Sequence, residues 1–474
     1  MKEFLIELLG NNNVLDDKVS LGAYSEDYTE ARPSQPDLIA FPTNAEQVQR
    51  IVLKANEKRI PLTPRVYGTN VGGLTIPTRG GIVLDLSKMN KVLEVNIDDM
   101  YAVIEPGVTQ QIIKDYLVSH DIPLTLGYSL APPNTSIFAN ALLGGLTNRS
   151  LKYGDQSEWI SGLEVVLPDG TLMKTGSWAM SNTYPFGLVP FPDLTGLFTA
   201  WQGTTGIAVK MAFQLWPMHP LNRRLFILGY SASGVYDTVR KLCKKEICDD
   251  IGALSWPAGK MMMGVKKPNP VPSEGEPTFF LYVDLTAEIP EEMKLKEKIL
   301  NRVLNEARKN GAKFEEPLDV QTLLKVNPAM GKFADFPTDL EFLTNHGGGG
   351  LTWIGTYGPL SKFTEAADKG IEIMTRHGFP PMIVSRPMRG GHFGVLRFIS
   401  IFDKKDDSEV EKVKALNHEL LSMLADRGFI MYKTPVWAWR ELSPRLDPGM
   451  LAMMKKIKGL LDPNGIMNPG RMDL

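Results

Sequence analysis

Through the first half of the chain, apolar positions fall into short β-branched runs separated by Gly and Pro. Strands are predicted over 60–64, 81–86, 102–105, 164–167 and 207–214. One helical period stands among them, where Ala45, Val48, Ile51, Val52 and Ala55 recur at three- and four-residue spacing after Thr43. Beyond Asn222 the pattern changes. Strand-like runs at 225–230, 278–285, 351–357, 382–386 and 395–402 alternate with helical stretches at 234–246, 291–309, 362–376 and 408–426. The second of these helices starts at Pro290 with acids and ends with Lys and Arg, as capping and the helix dipole prefer. Such strand–helix–strand halves pack one sheet against helices on one face. After Gly428 the chain turns aromatic and Pro-rich, and a last helix at 450–460 ends in LDPNGIMNPGR, a tail expected to dock back on the first unit. The fold class is therefore α+β, with units at 1–221, 222–427 and 428–474.

Composition narrows the function. With 474 residues, 43% hydrophobic and 22% charged, the chain is an ordinary globular mixture. Lys plus Arg number 52 against 54 Asp plus Glu, so no charge excess is present to hold nucleic acid. Cys243 and Cys248 form a lone C-x4-C pair, too little for a four-ligand metal site or a disulfide framework, and a reducing compartment is expected. The start, MKEFLIELLG, is broken by Glu7, and no run reaches the length of a membrane span, so a soluble cytoplasmic protein is expected.

Three segments carry small residues at strand ends: TPRVYGTNVGGLT (63–75), PNTSIFANALLGG (133–145) and QGTTGI (202–207). Backbone N–H groups exposed by such turns make nests for phosphate oxygens, and glycine lets the anion approach. None matches G-x-G-x-x-G or a Walker loop. Three of them in one unit point to a long, diphosphate-bearing ligand.

The ordered blocks PRVYGTNVGG, GGIVLDLSKMNKVLEV, AVIEPGVT, NTSIFANALLGGLTNRSLKYGDQ, SGLEVVLPDG, GLFTAWQGTTGIAV and DPNGIMNPG resemble the FAD-binding family of vanillyl-alcohol oxidase and p-cresol methylhydroxylase. The resemblance implies a two-subdomain FAD-binding fold of the p-cresol methylhydroxylase type, with an α+β antiparallel-sheet cap over the substrate. It implies that Arg65, Gly68, Thr69, Asn70, Val71 and Gly72 face the diphosphate, that Ser136, Asn140 and Ala141 face the flavin ring and its chain, and that Ile207 and Asn468 complete the pocket. The histidine that some relatives link to the flavin falls near Leu351, so a dissociable FAD is expected, with Tyr357 the remaining candidate for a covalent link.

For chemistry, the resemblance singles out Tyr432 and Lys433 in GFIMYKTPVWAW, a hydroxyl donor and a cation aimed at one phenolic oxygen. Two further groups of the phenol-oxidising relatives are replaced, a tyrosine by Val71 and an aspartate base by Ala131. Tyr128 and His392 are the candidates to supply the base, with Arg386 and Arg389 beside His392 to hold an acidic group. Trp353, Trp437 and Trp439 are candidates for an aromatic wall. The paired metal-binding histidines of the related D-2-hydroxy-acid dehydrogenases have no counterpart in spacing among His120, His219, His346, His377, His392 and His418. The expectation is an FAD-dependent oxidoreductase, a dehydrogenase rather than an oxidase, acting on an alcohol or benzylic carbon of an aromatic or acidic substrate and passing electrons to a protein or quinone. A metal-independent 2-hydroxy-acid dehydrogenase and a catalytically silent electron-relay subunit are the alternatives, and self-association into a homo-oligomer stays open.

Overall fold

The computed structural model describes residues 1–474 except 181–182, 327, 329–330, 332–333 and 335. The first sheet holds β1 (Val14–Leu15), β2 (Leu38–Ala40), β3 (Leu62–Arg65) and β4 (Ile82–Asp85) in the order β1-β2-β4-β3, with β4 parallel to β2 and β3. Helix α1 (Ala45–Lys58) is started by Asn44, whose side chain accepts from the Gln47 N–H, and it buries Val48, Ile51, Val52 and Ala55. The C-terminal tail returns to this sheet: the Leu62 N–H donates to the Ile466 carbonyl at 2.7 Å, and the Asn468 N–H donates to the Leu62 carbonyl at 2.8 Å.

A second, antiparallel sheet contains β5 (Val92–Asn96), β6 (Tyr101–Ile104), β7 (Ile160–Val166), β8 (Leu172–Lys174) and β9 (Ile207–Gln214), in the order β5-β6-β9-β7-β8. The short helix α2 (Ile137–Leu142) packs Phe138 and Ala141 into the core below it. Strand β7 begins earlier than its apolar run suggests, because Gly162 interrupts the pattern; a Cβ there would come within 3.0 Å of the Thr175 carbonyl.

The third sheet is the largest, with eight strands in the order β13-β10-β12-β11-β15-β16-β14-β17. These are β10 (Leu221–Gly229), β11 (Asp250–Ser255), β12 (Phe279–Ala287), β13 (Leu318–Asp319), β14 (Gly349–Gly358), β15 (Met382–Met388), β16 (Phe393–Asp403) and β17 (Ile430–Met431). Helices α3 (Ala232–Cys243), α4 (Pro290–Lys309), α5 (Phe363–Arg376) and α6 (Asp407–Ala425) cover one face, burying Ile227, Leu281, Ile354, Leu396 and Phe398. Alternate residues point the other way. Phe226, Leu254, Phe280, Val384 and Ile399 form an apolar layer with Val71, which belongs to the first glycine turn. Burial on both faces explains why these strands read as nearly continuous apolar runs. Strand β11, DIGALS, escapes the pattern for the opposite reason, since its Asp and Gly are buried as well.

Candidate active site

All three glycine turns converge on one cleft beyond the ends of β3 and β6 and at the start of β9. From the first turn Arg65, Gly68, Thr69 and Asn70 line it; from the second, Ser136 and Asn140; from the third and the tail, Ile207 and Asn468. Asn70 Oδ1 accepts from the Gly72 and Leu74 N–H groups (3.2 and 3.0 Å), which holds the first turn in shape. Buried polar atoms around the cleft lack a protein partner: Arg65 Nε, Thr135 Oγ1, Gln202 Oε1 and Asn468 Oδ1. Groups of this kind suit a polar ligand, because leaving them unpaired costs free energy. Gly203 stands in the wall at φ +72°, and a Cβ there would lie 2.7 Å from the Pro64 ring. Left-handed backbone costs a branched residue about 1–2 kcal/mol before any clash, so Gly203→Val is expected to purify with at least tenfold less bound flavin, read from the visible to ultraviolet absorbance ratio.

Against this cleft the eight-stranded sheet presents a second cluster. On the face away from the helices, β14 carries Leu351, Trp353, Gly355 and Tyr357, and β16 carries Arg397, Ile399 and Ile401. Gly355 pairs with Arg397 across the two strands. A Cβ at Gly355 would come within 2.9 Å of the Tyr432 ring, so the glycine makes the room in which Tyr432 meets Arg397. Arg397 Nη2 donates to the Tyr432 hydroxyl. The guanidinium lies 4.4 Å from the Trp353 ring centroid, and Tyr357 stacks on Tyr432 at 4.5 Å. The Tyr357 hydroxyl donates to the Gly144 carbonyl, tying the sheet to the second glycine segment. Arg397 is only 8% exposed, its Nε has no partner, and no carboxylate among the described residues pairs with it. Burying a cation without a paired carboxylate costs free energy.

Two family models match the chain, one described as an FAD binding domain over residues 36–176 and one as the C-terminal domain of FAD linked oxidases over residues 331–472. The chain is 26% identical to the 4-cresol dehydrogenase [hydroxylating] flavoprotein subunit of Pseudomonas putida, over 98% of this chain and 93% of that one. It is 31% identical to glycolate oxidase subunit GlcD of Bacillus subtilis (strain 168), over 52% of this chain and only about half, 51%, of that relative's length. The crystal structure of p-cresol methylhydroxylase with substrate bound superposes with a TM-score of 0.88 at 23% identity, covering 100% of this chain and 96% of that one. The chain therefore carries an FAD binding domain and the C-terminal domain of FAD linked oxidases, in the fold of p-cresol methylhydroxylase. FAD is its cofactor, and the converging turns with their unpaired polar atoms fit a molecule with a diphosphate and a polar ring.

Within this p-cresol methylhydroxylase-type framework several expected residues sit elsewhere than the motifs suggested. Val71 turns into the apolar layer under the large sheet, Gly72 abuts the Lys433 carbonyl, and Ala141 faces the core beneath α2; none of the three lines the cleft. Tyr432 is held by Arg397 rather than Lys433, whose ammonium donates instead to Asn140 Oδ1 at 2.7 Å. His392 is exposed in the turn between β15 and β16, facing solvent rather than a cavity, and Arg389 pairs with Glu158 at 2.7 Å. Arg386 is buried and committed to Asp250 at 2.5 Å and to the Thr147 carbonyl at 2.7 Å, so it is not available to a substrate. Burial, the largest single influence, opposes its charge, but Asp250, Tyr282 and Asp284 together hold its pKa above the ordinary value. Tyr128 is in the core of the second sheet, with the Lys114 ammonium 5.7 Å from its ring centroid. Of the three tryptophans only Trp353 joins the cluster, while Trp437 packs on His418. Arg397 was not singled out in the sequence. Its signal is present in GVLRFISIF, where one arginine stands among Val395, Leu396, Phe398 and Ile399. Among the described residues no group of His, Cys, Asp and Glu is gathered as metal ligands, and no helix is long and apolar enough to cross a membrane.

Proposed function

We propose that this flavoprotein is a dehydrogenase that oxidises an alcohol or benzylic carbon of a small aromatic substrate, held through an anionic oxygen by Arg397 and Tyr432. The observation that carries the reading is the buried Arg397 guanidinium, hydrogen-bonded to Tyr432, stacked on Trp353 and without a carboxylate partner among the described residues. Bound FAD supplies a two-electron acceptor for the hydride. The protein's part is to bind and orient. Arg397 and the Tyr432 hydroxyl stabilise a phenolate, whose electron density weakens the C–H bond at the para substituent. Trp353 and Tyr357 supply flat surfaces for an aromatic ring, and the apolar layer of Val71, Leu254 and Ile399 excludes water. A protein or quinone takes the electrons onward, a reading that the flavoprotein-subunit name of the Pseudomonas relative favours.

The test is anaerobic reduction of the bound flavin by a panel of 4-hydroxybenzylic alcohols, 4-alkylphenols and 2-hydroxy acids. Bleaching by the phenolic compounds is expected; bleaching by 2-hydroxy acids alone would shift the assignment to the class of the glycolate oxidase relative, and bleaching by none of them would favour a relay subunit. Tyr432→Phe removes one donor from the developing anion and is expected to slow reduction by about tenfold with phenolic substrates. An unchanged rate would remove that hydroxyl from the site.

A further inference from the structure

The cofactor cleft contains two ionisable side chains among its described lining residues, Arg65 and Lys433. Neither a carboxylate nor an imidazole lines it. A guanidinium is a donor only and has no acceptor atom. Lys433 therefore provides the cleft's means of exchanging a proton near neutrality. It follows Tyr432 at the exit of β17, in left-handed backbone with φ 51°. This conformation is unusual for a lysine and turns consecutive side chains apart. The neighbouring chain is pinned on both sides: the Tyr432 N–H donates to the Gly355 carbonyl at 3.2 Å, and Gln202 Nε2 donates to the Thr434 carbonyl at 2.9 Å. The Lys433 ammonium then meets Asn140 of α2 at 2.7 Å, and Asn140 is itself held by Ser129 (2.9 Å) and Gln156 (2.6 Å). No carboxylate among the described residues pairs with Lys433. The charged group facing it is Arg397 of β16, and the other ionisable neighbours are the phenols of Tyr432 and of Tyr357 behind it.

We propose that Lys433 is the proton acceptor for the hydroxyl of a carbinol substrate, placed between the anion anchor and the cofactor cleft. This rests on the reading above and commits it to aromatic alcohols. The Lys433 ammonium lies 5.8 Å from the Tyr432 ring centroid and Arg397 donates to the hydroxyl of the same ring, so both cations flank one tyrosine. In the step, the neutral amine of Lys433 takes the hydroxyl proton with its lone pair. The O–H bonding pair closes to the carbonyl, and the carbon gives up its hydrogen with both electrons to bound FAD, which the enzyme's next electron acceptor reoxidises. Burial, and after it the charge of Arg397, lower the Lys433 pKa to about 7, so the free amine is well populated at neutral pH. Activity should rise through pH 7 and level off above it, because the acceptor form is the deprotonated one.

The deciding experiment compares wild type, Lys433→Arg and Lys433→Gln as holoenzymes, with two readouts. The first is the pH dependence of anaerobic flavin reduction by a 4-hydroxybenzylic alcohol. Both variants are expected to lose at least about 100-fold at pH 8 and to lose the limb near pH 7. Methylamine is expected to restore part of the Lys433→Gln rate. The second is the flavin spectrum without substrate, which should shift with a midpoint near pH 7 in wild type and not in Lys433→Arg. Near-wild-type rates in Lys433→Arg would overturn the proposal, since a fixed charge would then suffice, and so would a wild-type spectrum that does not titrate. A failure of phenolic alcohols to reduce wild type would sink the substrate reading instead, while the spectral titration would still report on Lys433.

Discussion

Arg397→Met is expected to lower kcat/KM for anionic aromatic substrates by about 10²–10³-fold, the size of effect that follows loss of one preorganised donor to a developing oxyanion. Flavin content should stay at the wild-type level, because Arg397 does not line the cofactor cleft. Stability is the informative control. Arg397 is buried with one neutral hydrogen-bond partner, so the folded protein carries the cost of desolvating its charge. An apolar side chain of similar volume, still packed on Trp353, should leave the midpoint of thermal unfolding unchanged or raise it. Lower turnover with equal or greater stability is the signature of a charge kept for a ligand. A 4-methoxybenzyl alcohol, which cannot ionise, should be handled by wild type and variant at similar low rates. Equal losses on ionisable and non-ionisable substrates would show that Arg397 shapes the pocket without meeting an anion.

The residues that proved legible in the sequence share a physical reason. Helix α1 announces itself by the 3.6-residue period from Ala45 to Ala55 because it lies on the surface with one face wet. The glycine turns are visible because nests that admit a phosphate tolerate few other residue types. Strand β9 appears over the range expected, 207–214, and starts directly after Gly206. What lay outside sequence reasoning is the pairing of distant strands. Arg397 and Tyr432 are 35 residues apart and meet because β14, paired with both β16 and β17, places Gly355 where the two side chains need space. Tyr432–Lys433 looked like one donor pair because they are neighbours in sequence, yet the left-handed turn at Lys433 sends them to different partners. Arg386 and Arg389 looked like a joint anion site for the same reason. In the sheet one is buried against Asp250, and the other reaches Glu158 at the surface. Adjacency in sequence is a poor guide to shared chemistry wherever a strand sends successive residues to opposite faces or a turn intervenes.

Asp250→Ala is expected to destabilise the protein by about 3–5 kcal/mol, the range seen when one partner of a buried ion pair is removed. Asp250 is 1% exposed, and its carboxylate accepts from Arg386 Nη2, from the Tyr282 hydroxyl at 3.1 Å and from the Ile251 N–H at 3.0 Å. It sits directly across from Asp284 on β12, which is itself clamped by Arg224 through Nε at 2.6 Å. Burial raises the Asp284 pKa against the pull of Arg224, and Asp250 adds to the rise. Two carboxylates side by side in the sheet are tolerable only while two guanidiniums face them. Without Asp250, Arg386 is left buried with a carbonyl as its remaining acceptor and with Nε already unpaired. That carbonyl belongs to Thr147, three residues beyond the Gly144 carbonyl that receives Tyr357, so strain in the pair passes into the segment joining the large sheet to the cofactor cleft. Urea unfolding should therefore show a lower midpoint, and bound flavin should be released at lower urea than in wild type. The double variant Asp250→Ala, Arg386→Met tests the cause, since removing the stranded charge should recover much of the loss. If the single variant unfolds like wild type, or the second change adds to the loss instead of relieving it, the pair does not hold this junction together.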